Sequence, residues 1–334
     1  MRRGRTWLFP NRPGILASAA VGGPKEGEGP LAGDFDLIFD DVYAGMQTFE
    51  QAERKLLESA AEIALRKAGL GKDDVDLFFA GDLLSQGVTA SFAARTMGMP
   101  FIGLNGACST SMEGLALAAL AVDAGRARRA LTGTASHNLA AERTYRYPTE
   151  YGAQKPPTAQ WTVTGAGAGI VALDPAPVVI TSATVGRVVD LGLKDPLNMG
   201  AAMAPAAYDT IVTHLEDMTR SPGDYDLIVT GDLGRIGREL LLELLEQAGL
   251  RFDPEKIVDA GLMIYREDQD VFSGASGAAS SAAVFYGHLM KHLVAGTVFR
   301  LLIVATGALM SPVTYQQGES VPAIAHAVAV ERVM

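Results

Sequence analysis

An α/β fold of two pseudo-duplicated halves, stacked in five αβαβα layers, is what this sequence predicts, on three observations. Short segments recur in the same order in both halves, amphipathic helices alternate with apolar strands, and one helix is apolar almost all round. The recurrences come first because internal repeats decide architecture. Ser18-Ala19-Ala20-Val21-Gly22 returns as Ser182-Ala183-Thr184-Val185-Gly186, at the first strand of each half. Asp74-Val75-Asp76-Leu77, followed by Gly81-Asp82-Leu83, returns as Asp224-Tyr225-Asp226-Leu227, followed by Gly231-Asp232-Leu233. Leu131-Thr132-Gly133 pairs with Ala305-Thr306-Gly307, each after an apolar run. The halves, residues 1–174 and 175–334, divide at Asp174-Pro175-Ala176-Pro177, where the prolines stop both helix and sheet pairing.

In the first half, Thr48-Phe49-Glu50-Gln51 has capping-box spacing, and Phe49, Ala52, Leu56, Ala60, Ile63 and Ala64 repeat at helical period until Gly69. Residues 77–80 read as a buried strand, 101–104 as a short one, and 109–124 as an Ala-rich helix. A helix apolar on nearly every side is tolerated only where it is covered on every side, so this one belongs between the two sheets. Late strands follow at 130–132 and 170–173. The second half repeats the plan, with strands at 178–186, 226–230 and 299–306 and helices at 206–219, 237–248 and 277–295.

Composition bounds the function. Hydrophobic residues make up 48% of the 334, enough for a large core, and 38 acidic against 28 basic side chains give a net charge of -10. That sign repels a phosphate backbone, so no nucleic-acid partner is expected. One cysteine excludes an intrachain disulfide and a thiolate zinc cluster, which fits a reducing compartment. Near the start, Pro10, Asn11, Arg12 and Pro13 interrupt any signal-peptide core. The most apolar stretches, 114–122 and 300–310, fall short of the roughly 18 to 20 residues a spanning helix needs, so membrane association is expected to be peripheral.

Gly106-Ala107-Cys108-Ser109-Thr110-Ser111 ends a strand and opens the apolar helix. A thiol at a helix N-terminus is favoured as thiolate by the dipole and the free N–H groups, whereas a lone buried cysteine is ordinarily a small hydrophobe. This turn, the duplicated halves, and Thr164-Gly165-Ala166-Gly167-Ala168-Gly169 before an apolar strand together resemble the thiolase and ketoacyl-synthase superfamily. The resemblance implies a thiolase-like fold, a glycine-rich turn at residues 164–169, and a cysteine nucleophile assisted by a His and a second His or Asn from the second half. The loops that would carry those partners read Gly231-Asp232-Leu233-Gly234 and Gly274-Ala275-Ser276-Gly277, and neither offers the side chain. His288 and His292, four apart on a predicted helix, lack a carboxylate or third ligand in register for a metal. His214, beside Glu216 and Asp217, is expected on an exposed helix and solvated, and His326 is expected to be a satisfied strand residue.

Longer segments resemble the stage V sporulation protein AD family, a non-enzymatic branch of that superfamily. They include Ala80-Gly81-Asp82-Leu83-Leu84, residues 106–113, Ser136-His137-Asn138, Met203-Ala204-Pro205-Ala206-Ala207 and Gln316-Gln317-Gly318-Glu319-Ser320, with residues 146–152 among them. The resemblance implies a spore protein that binds dipicolinic acid, free or as its calcium chelate, and helps move it into the developing spore. It also implies partners among the SpoVA membrane proteins at the spore inner membrane and, by analogy, a homodimer. No cofactor is expected beyond calcium entering with the ligand.

A flat aromatic dicarboxylate calls for hydrogen-bond donors and a stacking face. Three loops are expected to converge on it, and they nominate Asp82, Cys108, Thr134, Ser136, His137 and Asn138 as ligand-binding residues. Asp82 repels an anion unless calcium or a proton intervenes, and read alone it is a turn or cap residue, as is Asp232. Arg143, Tyr145, Arg146, Tyr147, Tyr151, Lys155 and Trp161 mix cations with aromatic faces beside it. The alternative is an acyltransferase or condensing enzyme in which Cys108 is acylated and His137 supplies the base.

Overall fold

The structure, a computed structural model, describes residues 1–145 and 155–333; Arg146, Tyr147 and Tyr151 lie outside the described residues. The first half comprises β1 (Arg2–Arg3), β2 (Thr6–Leu8), β3 (Gly14–Gly22), α1 (Pro24–Gly27), β4 (Leu37–Ile38), α2 (Phe49–Ala68), β5 (Leu77–Gly81), α3 (Val88–Met97), β6 (Phe101–Leu104), α4 (Thr110–Asp123), β7 (Arg129–Ser136), α5 (Asn138–Tyr145), β8 (Trp161–Thr162) and β9 (Gly165–Ala172). The second comprises β10 (Val178–Thr184), α6 (Met199–Met218), β11 (Leu227–Thr230), α7 (Gly234–Gln247), β12 (Ile257–Asp259), β13 (Ala275–Ser276), α8 (Ala278–Ala283), α9 (Met290–Ala295), β14 (Arg300–Ala308), α10 (Pro312–Gln316) and β15 (Ala323–Arg332).

Strands pair in the order β6-β5-β7-β9-β3 in the first half and β12-β11-β14-β15-β10 in the second. Counted among these five strands of each half in chain order, both orders read third, second, fourth, fifth, first. Directions match too: β5 is parallel to β6 and β7 while β9 is antiparallel to β7 and β3, and β11, β12, β14, β15 and β10 repeat that pattern. The recurring aspartates do the same work twice. Asp76 accepts the N–H groups of Arg128 and Arg129 where β7 begins, and Asp226 accepts those of Phe299 and Arg300 where β14 begins. The two sheets meet where β3 and β10 run antiparallel at Val178 opposite Ile15.

Three apolar clusters hold the five layers together. Leu57 and Ala60 of α2 pack with Phe78 and Leu131 on the outer face of the first sheet. Ile211 of α6 and Leu241 of α7 pack with Ile228 and Leu302 on the outer face of the second. Between the sheets, Met112 and Leu115 of α4 and Ala279 and Ala282 of α8 join Phe79, Val171, Val229 and Ile303. Helix α4 therefore sits in the centre, as its uniform apolarity requires. Among the described residues, no helix is long and apolar enough to cross a membrane.

Three elements depart from the sequence expectations. Helix α6 starts at Met199 and continues through Pro205, although a proline ordinarily marks a helix start. Its first turn is fixed by a backbone crossing with α7: a Cβ on Gly200 would lie 2.2 Å from the Leu233 carbonyl oxygen, and one on Gly237 2.6 Å from that of Gly200. The segment expected as a glycine-rich turn at 164–169 is the body of strand β9. Its alternate residues Gly167 and Gly169 face α8 and Tyr286, where a side chain would collide. The helix expected over 277–295 is α8 and α9 joined by a π-helical turn, Val284–Leu289.

Candidate functional site

The site grows from a strained turn. Ala107 adopts φ 51, a left-handed conformation that costs a residue bearing a Cβ about 1 kcal/mol or more and persists only where its surroundings over-determine it. They do here: the Ser109 hydroxyl donates to the Gly106 carbonyl at 2.6 Å and the Thr110 hydroxyl to that of Ala107 at 2.7 Å. On the other side β14 presses in at Gly307, where a Cβ would stand 2.5 Å from the Gly106 oxygen. The result holds Cys108, 8% exposed, at the mouth of α4.

Behind Cys108 stands Asp232, from the loop after β11. Its Oδ1 accepts the Thr306 hydroxyl at 2.7 Å and its Oδ2 the Gly277 N–H at 3.0 Å. Burial pushes the Cys108 thiol well above its usual range, and the Asp232 carboxylate, which accepts the thiol's hydrogen bond, pushes it further. The helix N-terminus is expected to favour a thiolate; desolvation and a facing carboxylate outweigh it, and the sulfur is held as a thiol. Asp232 is itself raised to about 7, mainly by burial, with Asp259 adding to the rise. It is thus more than the turn or cap residue that its sequence position suggests.

A cavity of about 300 Å³ opens in front of the sulfur, walled by Asp82, Asn105, Cys108, Glu142 and Tyr145 and floored by apolar residues such as Met310. Asp82 serves as a cap, accepting the N–H groups of Leu84 and Ala90 at 2.7 Å each, and burial raises its pKa. Nearby, Glu53 is 1% exposed and neither oxygen meets a donor in good geometry. Burial first and Asp82 second raise it well above the carboxylate range, only partly offset by the Thr89 hydroxyl. Burial, chiefly, raises the Tyr145 hydroxyl, so it stays a neutral donor amid acidic groups. Lys155 is engaged by Glu142 at 2.7 Å and lies 5.5 Å from the Trp161 ring centre.

Of the six nominated residues, Asp82 and Cys108 line this cavity. The other four do not line it. Thr134 donates to the Gly81 carbonyl across the sheet, and Ser136 donates to the Val163 carbonyl while accepting from the Ala279 N–H. His137 stacks on Phe49, contacts the Val42 carbonyl through Nε2 at 2.7 Å, and is lowered in pKa by burial. The Asn138 N–H donates to the Thr164 hydroxyl. These residues lie at the end of β7 and the start of α5.

The other histidines are also engaged. His214, expected to be solvated, is fully buried: Nδ1 meets the Thr184 hydroxyl at 2.7 Å and Nε2 the Tyr225 hydroxyl at 2.6 Å, and burial lowers its pKa to about 4. The helical face it occupies points at β10, which the local acidic neighbours disguised. His326, in β15, accepts the Gly186 N–H at 3.3 Å, and burial lowers it to about 4 as well.

Raised buried acids and lowered buried histidines set the pH dependence of stability with opposite signs. A raised acid stabilises below its unfolded pKa, and that contribution is lost as pH rises through its folded pKa; the lowered histidines lose theirs only as pH falls below about 6.5. Between pH 6.5 and 8 the acids alone matter, so stability is expected to fall with rising pH, by about 1.4 kcal/mol per pH unit for each group within its window, read as a falling melting temperature. Glu53→Gln should melt higher than the parent at pH 8 and show a flatter profile in calorimetric scans.

The five layers, the duplicated strand order and the strained cysteine turn define a thiolase-like scaffold. Solved structures agree on the fold: cerulenin-bound OleA of Xanthomonas campestris superposes with a TM-score of 0.64 at 16% identity over 97% of this chain and 100% of that one. The 3-oxoacyl-[acyl-carrier-protein] synthase III of Aquifex aeolicus VF5 gives 0.57 at 15% identity over 96% and 99%. Within that class the chain belongs to the stage V sporulation protein AD (SpoVAD) family, whose profile matches residues 3–331. It is 50% identical over 328 residues to stage V sporulation protein AD of Bacillus subtilis (strain 168), covering 98% of this chain and 97% of that protein.

Proposed function

We propose that this sporulation-family protein binds dipicolinic acid in the cavity beside Cys108, for uptake into the developing spore with the SpoVA membrane proteins, and does no chemistry on it. The observation that carries the reading is Asp232: a carboxylate faces the sulfur where a condensing enzyme of this fold places a histidine, and it opposes the thiolate that acyl transfer requires. The ligand's ring fits beside Tyr145, whose hydroxyl donates, and a volume of about 300 Å³ is at the small end of ligand pockets.

The wall is acidic, with Asp82 and Glu142 on it and Asp232 behind, so the neutral calcium chelate suits it better than the free dianion. Titration calorimetry is expected to show the chelate binding at least about tenfold more tightly than the dianion, a difference of about 1.4 kcal/mol, and Asp82→Asn should narrow that gap. No saturable heat with either form would remove the proposal. Ser136→Ala, which does not line the cavity, should bind like the parent.

A peripheral position at the spore inner membrane accords with this role. A homodimer accords with β6, which ends its sheet and carries Ile102 at 44% exposure; an unpaired apolar edge is an invitation to pair. Ile102→Lys should then elute as a monomer where the parent elutes as a dimer.

A further inference from the structure

We infer that His288 and His292 form a surface site for a divalent transition metal such as zinc, nickel or copper, with Asp34 as its orienting carboxylate. The two rings lie 4.5 Å apart, centre to centre, one on the π-helical turn and the other on α9. Each ring's Nδ1 has a polar partner. His288 Nδ1 meets the Asp34 carboxylate at 2.6 Å, which can only accept, so Nδ1 carries the hydrogen. The Thr297 hydroxyl stands 2.7 Å from His292 Nδ1 and 3.2 Å from the His292 carbonyl, and with its hydrogen on the carbonyl its oxygen accepts from Nδ1. In the neutral rings both Nε2 atoms hold their lone pairs, the tautomer that ligates a metal.

From sequence these histidines lack a carboxylate; the fold supplies one from the turn that follows α1, 254 residues away in the chain. A carboxylate on the far nitrogen orients a ligating imidazole and raises its basicity, the arrangement found behind many metal-bound histidines. Lys291 also contacts Asp34, at 3.1 Å, so the carboxylate is anchored from two sides. Among the described residues no set of three His, Cys, Asp or Glu side chains is arranged to hold a metal, so the remaining coordination positions fall to water, leaving an open and exchangeable site. Two imidazoles select borderline metals over calcium, which takes oxygen ligands. This site is separate from the cavity at Cys108 and does not depend on what that cavity binds.

The test is calorimetric titration of chelator-treated protein with zinc chloride, in a Cys108→Ser background so that the thiol contributes nothing. One zinc per chain is expected, lost in both His288→Ala and His292→Ala, weakened about 10–100-fold in Asp34→Asn, and undisturbed by excess calcium. Circular dichroism checks that each variant is folded. Unchanged zinc binding in the double histidine variant, equal binding in Asp34→Asn, or no saturable binding by the parent would each overturn the assignment.

Discussion

Exchanging Asp232 for asparagine is expected to raise the rate at which iodoacetamide alkylates Cys108 at pH 8 by about tenfold or more. The substitution keeps the shape and removes the charge. Removing the charge lowers the thiol's elevated pKa and so raises the fraction in the thiolate, the reactive form. Burial still holds the thiol up, so the rate should stay below that of a free cysteine. Because the chain has one cysteine, the mass of the intact protein reports the reaction without ambiguity. Asp232→His should go further, since an imidazole can accept the thiol proton, and incubation with an acyl-CoA would then reveal whether the strained Ala107 turn still presents the sulfur for acylation. If Asp232→Asn alkylates no faster than the parent, the carboxylate is not what restrains Cys108. A stable acyl adduct on the parent itself would favour the condensing-enzyme alternative over pure binding.

The largest loss of stability is expected at Gly167→Leu, by about 3 kcal/mol, read as a lowered midpoint in urea. A Cβ there would stand 2.5 Å from the Ala282 carbonyl oxygen and 2.9 Å from the Tyr286 ring. Most of that obstruction is backbone, which cannot swing aside, and it belongs to α8, one of the two helices between the sheets. Displacing α8 would also move Gly277 and Ser280, which hold the loop bearing Asp232 through hydrogen bonds to Asp232 and the Gly231 carbonyl. The same variant should therefore expose Cys108 to alkylation. A stability equal to the parent's would mean that the α8 contact is looser than the geometry indicates.

The ordered repeats made the duplicated architecture readable because each copy reuses the same local devices: Asp76 and Asp226 start matching strands, and Asp74 and Asp224 close matching turns on Gly71 and Ser221. Helix α2 was readable from Thr48, which accepts the Gln51 N–H, through to Gly69 in the left-handed conformation, since caps are local chemistry. The site was harder. Asp82 and Asp232 occupy equivalent places in the repeat, yet one caps a helix and the other faces a sulfur, because Thr306, Gly277 and Cys108 reach Asp232 from three separate segments. Equivalence in sequence guarantees the same backbone place, not the same neighbours.

From the sequence alone came the fold class, the central position of α4, the place of Cys108 at its head, and the unusual loops at Gly231 and Gly274. All of these rest on periodicity, on capping, or on resemblance carried by contiguous residues. Only the tertiary structure decided that β9 begins at Gly165, that His214 is buried, that four nominated residues do not line the cavity, and that Asp232 restrains the thiol. Each of those depends on atoms from remote segments packed against one another, where desolvation and steric exclusion, neither visible along a single strand or helix, determine which group keeps its charge and which side chain has room.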